Sequence, residues 1–285
     1  MSVIMQQPLG GPSFIRRILR SPSAAIGVII VLVILAAALL APLVVPYDPS
    51  LQDTANRLMP PTATHWLGTD GFGRDILSRI IYGARPTLLL VLIVVLLMAP
   101  LGILVGILAG FFGGMVERVL MRITDIVMSF PRLLLAFAFV AVIGPGLING
   151  ALALAVTSWP AYARQARVET TALRRSDYLA ANEMVGITGI RLLWGHILPL
   201  VFPSAVIRLA LDLSGIILAA AGLGFLGLGV RPPTAEWGAM VAEGTQVIFD
   251  QWWVAAVPGC AILVTSLGFN LLADCLRDIL DPRHD

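Results

Sequence analysis

Arg208 and Asp212 are the residues whose types and spacing say most about chemistry. They stand four apart within an otherwise apolar run, so on a helix they share one face. Counted from Leu200 as a helix start, they lie about 12 and 18 Å along the axis. A charge at that depth of an apolar span is costly and must face water, protein or an opposite charge. Two roles fit the pair: lining a path for a polar solute, or neutralising each other as a brace for helix packing. A second group, His65, Asp70 and Asp75, offers metal-ligand side chains, but it lies among arginines and reads first as an outer-surface loop braced by Asp/Arg pairs. The Gly71/Gly73 pair has neither the preceding strand nor the acidic partner of a nucleotide-binding turn, and the chain has no P-loop. Its three histidines, His65, His196 and His284, fall in separate segments with no Ser or Cys in a catalytic arrangement. Hydrolytic and ATPase chemistry within the chain is thereby not expected, and no cofactor is.

The elements that must position such residues follow from composition. Of 285 residues, 58% are hydrophobic and 13% charged, far on the apolar side of soluble domains; this is an all-α integral membrane chain. The net charge of +2 comes from dispersed arginines, which gives no basic surface for nucleic acid. Cys260 and Cys275 are fifteen residues apart in one apolar stretch, about 22 Å on a helix and beyond disulfide reach. Apolar runs cover Ala24 to Val45, Thr87 to Phe112, Leu120 to Ile143, Leu147 to Ala163, Val201 to Leu226 and Trp252 to Cys275, six spans by length. Pro100, Pro131 and Pro160 predict kinks in them without breaks. Gly102, Gly106, Ala109 and Gly110 form a small-residue stripe suited to close helix contact.

Orientation follows from the arginines. With the N-terminus inside, behind Arg16, Arg17 and Arg20, thirteen arginines fall on inner segments and five on outer ones, with Arg208 inside a span. That asymmetry puts both termini in the cytoplasm. The inner side then also holds Asp177 to Pro199, a stretch too polar to span a membrane and too well patterned for a slack loop. Apolar side chains recur every three to five residues and Gly186 and Gly189 interrupt them, predicting two short helices with a bend. Asp177 is the candidate N-cap, Ala180 and Ala181 a small-residue face, and Pro199 the start of the next helix.

This stretch resembles the cytoplasmic coupling loop of ABC-importer permeases, a Glu-Ala-Ala triplet followed at fixed distances by Gly and Leu-Pro. With Gly186 on the glycine, Ala180, Ala181 and Asn182 fall on the triplet, His196 on the family's Ile, and Leu198-Pro199 on Leu-Pro. Upstream, WLGTDGFGRDILSRIIYGAR (66–85), and downstream FLGLG (225–229) and AEWG (235–238), are similar to signatures of the peptide/nickel permeases of the DppC/OppC type. The resemblance implies six transmembrane helices of the type I ABC importer permease kind. Residues 1–46 would be a cytoplasmic tail with the first transmembrane helix, 47–85 an extracytoplasmic loop with a short amphipathic helix over Asp75 to Tyr82, and 86–285 a five-helix permease core with its coupling loop at 171–199.

It further implies a multi-pass subunit of a bacterial inner (plasma) membrane, surrounded by lipid. Its partners would be a homologous second permease subunit, two cytoplasmic ATPase subunits that hold the ATP, and an extracytoplasmic solute-binding protein. The implied cargo is dipeptides or oligopeptides, with nickel or a metal chelate as the alternative. Asp177, Ala180, Ala181, Gly186, Leu198 and Pro199 become candidate ATPase-coupling residues, and Arg208 and Asp212 candidate translocation-path residues. A self-contained secondary transporter would need acidic groups at mid-membrane, and only Asp212 qualifies.

Overall fold

The small-residue stripe does what its spacing predicts. A Cβ added at Gly102 would meet the Trp159 carbonyl at 2.4 Å, one at Gly106 the Ala163 carbonyl at 2.3 Å, and one at Gly110 the Arg167 carbonyl at 2.7 Å. Two helices thus touch backbone to backbone at every fourth residue, and they form the most extensive contact in the computed structural model, which describes residues 22–280. They are α2 (Ile76–Phe112) and α5 (Leu147–Arg174). The remaining elements in chain order are α1 (Pro22–Val44), α3 (Gly114–Met128), α4 (Arg132–Ile143), α6 (Asp177–Met184), α7 (Gly189–Leu192), a π-turn (Leu193–Ile197), α8 (Leu198–Phe225), α9 (Trp237–Thr245) and α10 (Trp253–Leu280). Among the described residues there is no β-strand. Arg16, Arg17, Arg20, His284 and the termini lie outside the described residues.

Among the described residues four helices are long and apolar enough to cross a membrane, and five stretches if α3 and α4 count as one. Helix α5 falls short on apolarity for a physical reason. It is the central helix, with Gly150, Ala151, Ala155, Thr157, Ser158 and Ala163 all buried against protein, and only Ile148, Leu152 and Val156 form an exposed apolar stripe along its first half.

The structure corrects several local expectations. Asp75 to Tyr82 is not a separate amphipathic helix: Asp75 caps α2 through the Ser78 N–H (2.8 Å), and those residues are the outer turns of a helix of 37 residues, about 55 Å long against a hydrocarbon core of about 30 Å. Pro100 and Pro160 lie inside continuous helices, but at Pro131 the chain breaks, with α3 and α4 bent by 88°. The residue before a proline is driven out of the α region, and Ser129 and Phe130 leave the helix there. Pro199 stands in the first turn of α8, as expected of a proline at a helix start. The chain is helical from Gly189 to Phe225, and the wider turn at Leu193–Ile197 precedes the site where the proline ring would otherwise crowd the preceding turn.

Outside the bundle, the loop before α2 is fastened by buried charge. Asp70 accepts from Arg74 Nε at 2.6 Å and pairs with Arg79 at 3.4 Å, and Arg74 reaches Glu243 of α9 at 2.5 Å. His65 Nδ1 meets Asp75 at 2.9 Å. Asp70 therefore faces guanidinium groups while Asp75 faces the imidazole, and the three do not converge as one ligand set. Among the described residues no group of three metal-ligating side chains is placed to hold an ion.

Candidate translocation and coupling site

At the polar end of the bundle, α5 gives way to α6 through Ser176. The N-cap is this serine and not Asp177: its backbone is extended and its Oγ faces the Leu179 N–H at 3.5 Å. Asp177 occupies the first helical turn, where its negative charge still suits the helix N-terminus. The helix closes in a Schellman arrangement. The Ile187 N–H donates to the Asn182 carbonyl and the Gly186 N–H to the Glu183 carbonyl, both at 3.0 Å. Gly186 carries the left-handed conformation that this closure needs, φ +88°. A Cβ there would meet nothing within 4 Å, so the glycine is required for the turn and not for packing within this chain.

Two short helices with a bend are therefore present as the sequence predicts. They form a knob anchored by buried Leu179, Leu192, Leu193 and Ile197, with Met184, Val185, Ile190 and Trp194 exposed. Tyr178 Oη and His196 Nδ1, 2.9 Å apart, tie the first helix to the π-turn. Asp177, Ala180, Ala181, Gly186 and Pro199 are all exposed and Leu198 is half-buried, on the one segment.

From the π-turn the chain rises directly into α8, where Arg208 Nε lies 3.6 Å from Asp212 Oδ2. The two are about a third exposed in the isolated subunit. The Arg208 guanidinium sits 5.4 Å over the buried Tyr162 ring and its Nη1 is 3.5 Å from Gln165 Oε1. Gln165 in turn donates to Glu169 at 3.0 Å, and Glu169 accepts from Ser204 Oγ at 2.6 Å. This is a polar chain linking α5 to α8. Around it, a concavity of about 260 Å³ lined by Arg132, Thr157, Ser158, Arg208 and Asp212 adjoins one of about 380 Å³ that shares Met128, Ala161 and Arg208. A third, edged by the ion pairs Arg164–Asp125 (2.8 Å) and Arg167–Glu117, continues toward the polar end of α5.

Sequence reasoning found Arg208 and Asp212 but missed Arg132, Gln165 and Glu169. Arg132 counted only as an inner-side charge. The signal available for the other two was their i, i+4 spacing on a helix that had been ended at Ala163.

The FLGLG and AEWG segments meet on the other side of α8. Glu236 caps α9, accepting from the Gly238 and Ala239 N–H groups at 2.8 and 2.9 Å, with its carboxylate buried against Gly224. Burial pushes this carboxyl above the ordinary carboxylate range, against the opposing pull of the two backbone N–H groups.

Comparison with known proteins agrees with this architecture. Residues 102–285 match the family described as binding-protein-dependent transport system inner membrane component, and residues 13–61 match the N-terminal TM domain of oligopeptide transport permease C. The probable D,D-dipeptide transport system permease protein DdpC of Escherichia coli (strain K12) is 40% identical over 278 residues, 98% of this chain and 93% of that one. The di/tripeptide transport system permease protein DppC of Pseudomonas aeruginosa (strain UCBPP-PA14) is 43% identical over 263 residues, 90% of this chain and 87% of its own. The dipeptide transport system permease protein DppC of Escherichia coli (strain K12) is 43% identical over 270 residues, 93% and 90%. Among solved structures, an inward-facing form of the MetNI methionine ABC transporter superposes with a TM-score of 0.58 at 16% identity, over 71% of this chain and 96% of that chain, which is a likeness of fold. A helical core laid out as an ABC importer permease, and sequence matches that run through that core and nearly the whole chain, lead to one assignment: the chain belongs to the family of binding-protein-dependent transport system inner membrane components.

Proposed function

We propose that this chain is one of two homologous permease subunits of an ATP-driven importer of dipeptides or short oligopeptides. It forms half of the translocation path and receives the ATPase stroke through the knob at Asp177 to Pro199. One observation carries the reading: a single helix from Gly189 to Phe225 bears the exposed apolar residues Ile190 and Trp194 at one end and the Arg208–Asp212 pair farther along. A push on the knob therefore reaches the polar groove without crossing a flexible joint. Asp177, Ala180, Ala181, Gly186, Leu198 and Pro199 take the coupling role. Arg208 and Asp212 line the path, with six spans and both termini in the cytoplasm.

ATP is bound on two cytoplasmic partner subunits and no cofactor on this chain, while an extracytoplasmic solute-binding protein delivers the cargo. The dipeptide relatives favour peptide over nickel or a metal chelate as that cargo. The test is reconstitution of the complex in proteoliposomes with a labelled dipeptide. Uptake that requires both ATP and the binding protein is expected. Uptake without the ATPase subunits, or nickel uptake with no peptide uptake, would overturn the reading.

A further inference from the structure

The concavity between α4, α5 and α8 is not electrically balanced. It holds two guanidinium groups, Arg132 and Arg208, and one carboxylate, Asp212. Asp212 lies beside Arg208 at 3.6 Å, whereas Arg132 makes no hydrogen bond or ion pair among the described residues. Its Nη2 instead lies alongside α8, 3.7 Å from where a Cβ on Gly215 would be, one turn beyond Asp212.

The same wall carries two hydroxyls. Thr157 Oγ1 donates to the Ala153 and Leu154 carbonyls at 3.0 and 3.1 Å and keeps its lone pairs. Ser158, 7% exposed, makes no hydrogen bond among the described residues. Arg132 and Ser158 thus line one concavity as donors that no side chain among the described residues engages. Arg132 opens α4, a helix of 12 residues, so it stands about 18 Å from that helix's far end, and its side chain is exposed in the isolated subunit.

We infer that this concavity binds the free α-carboxylate of the transported peptide, with Arg132 as its charged partner, Ser158 as an additional donor, and the Arg208–Asp212 pair as the adjoining polar wall. The inference rests on the reading of the chain as a peptide permease. A planar guanidinium matches a carboxylate through two parallel N–H···O bonds, which a C-terminal amide cannot reproduce. The site takes its ligand by the end common to all peptides and leaves the side chains to the rest of the groove.

The experiment measures equilibrium binding of labelled Ala-Phe to the purified permease–ATPase complex in nanodiscs without the solute-binding protein, so that selection by that protein does not enter. Competition by unlabelled Ala-Phe and failure of Ala-Phe amide to compete are expected. Arg132→Gln should weaken binding by about tenfold or more, the loss of one charge-assisted pair. Arg132→Lys should retain part of the affinity, with both variants recovered as assembled complex. Equal competition by the amide, or unchanged affinity in Arg132→Gln, overturns the inference. So does the absence of any Ala-Phe binding to a complex that still imports Ala-Phe with its binding protein, a result that leaves the peptide-permease reading standing. Failure of that import under the same conditions would instead fall on the reading itself.

Discussion

Gly224 rests directly on the carboxylate of Glu236: a methyl group placed on that glycine would stand 1.9 Å from Oε2 and 2.7 Å from Cδ. The carboxylate cannot yield, because both its oxygens hold the first N–H groups of α9. The close approach thus locks the end of α8 to the start of α9.

Replacing Gly224 by Ala should destabilise the subunit by about 1–3 kcal/mol, the cost of overpacking a filled site. The neighbouring Gly222→Ala is the control, since nothing lies within 4 Å of its added Cβ and a helical Gly→Ala change is neutral or gains up to about 1 kcal/mol. Melting of the detergent-solubilised protein checks both. Equal melting temperatures for the two variants would show that the contact does not matter.

Gly186 separates backbone geometry from packing. Because a side chain there meets open space, Gly186→Val should cost only the left-handed backbone penalty, about 1–2 kcal/mol, and leave the complex assembled. Asn tolerates that conformation and should preserve more function than Val. The expected readout is ATP hydrolysis that continues while peptide uptake falls, most in Val and least in Asn. Wild-type uptake in an assembled Gly186→Val complex would remove the turn from the coupling pathway.

The ion pair of α8 distinguishes a path from a brace. Asp212→Asn alone leaves the Arg208 charge without its partner and should lower the yield of assembled complex. Arg208→Met combined with Asp212→Leu removes both charges and should largely restore assembly, yet uptake should stay low with ATPase activity retained. If transport returns together with assembly in the double variant, the pair is a brace.

Topology can be read with impermeant thiol reagents after replacing Cys260 and Cys275. Gln52 and Thr234 are exposed and outside the long helices, and Thr188 is exposed between α6 and α7. Cysteines at the first two should react from outside intact cells and one at Thr188 should not, following the arginine asymmetry. External labelling at Thr188 would invert the orientation.

Much of this was legible because apolarity and small-residue spacing are local properties. The contact of Gly102, Gly106 and Gly110 with α5 follows from a four-residue repeat, and the bent pair of helices around Gly186 from periodicity interrupted by glycine. Features that depend on neighbours were hidden. A proline looks the same in sequence whether it lies within a helix, as at Pro160, or between two helices bent by 88°, as at Pro131; what decides is whether adjacent helices hold the turn together. The end of α5 was set eleven residues early because its polar C-terminal half looks like a loop until its partners Glu117 and Asp125 are seen across from Arg167 and Arg164. Ser176 and Asp177 are both good caps, and only backbone dihedrals choose between them. Arg132 gave no sign of its surroundings, since its cavity is assembled from four helices, α3, α4, α5 and α8.

The π-turn at Leu193–Ile197 closes with the Leu198 N–H on the Leu193 carbonyl, one residue wider than an α-turn, so that one extra residue is taken up within a single turn. Leu192, Leu193, Ile197, Val201 and Ala205 remain buried along one side across the junction, which fixes the phase of the two halves. Deleting one residue from the turn should therefore let it close as an ordinary α-turn, with the knob and the groove keeping their relative phase and every amino acid of both intact.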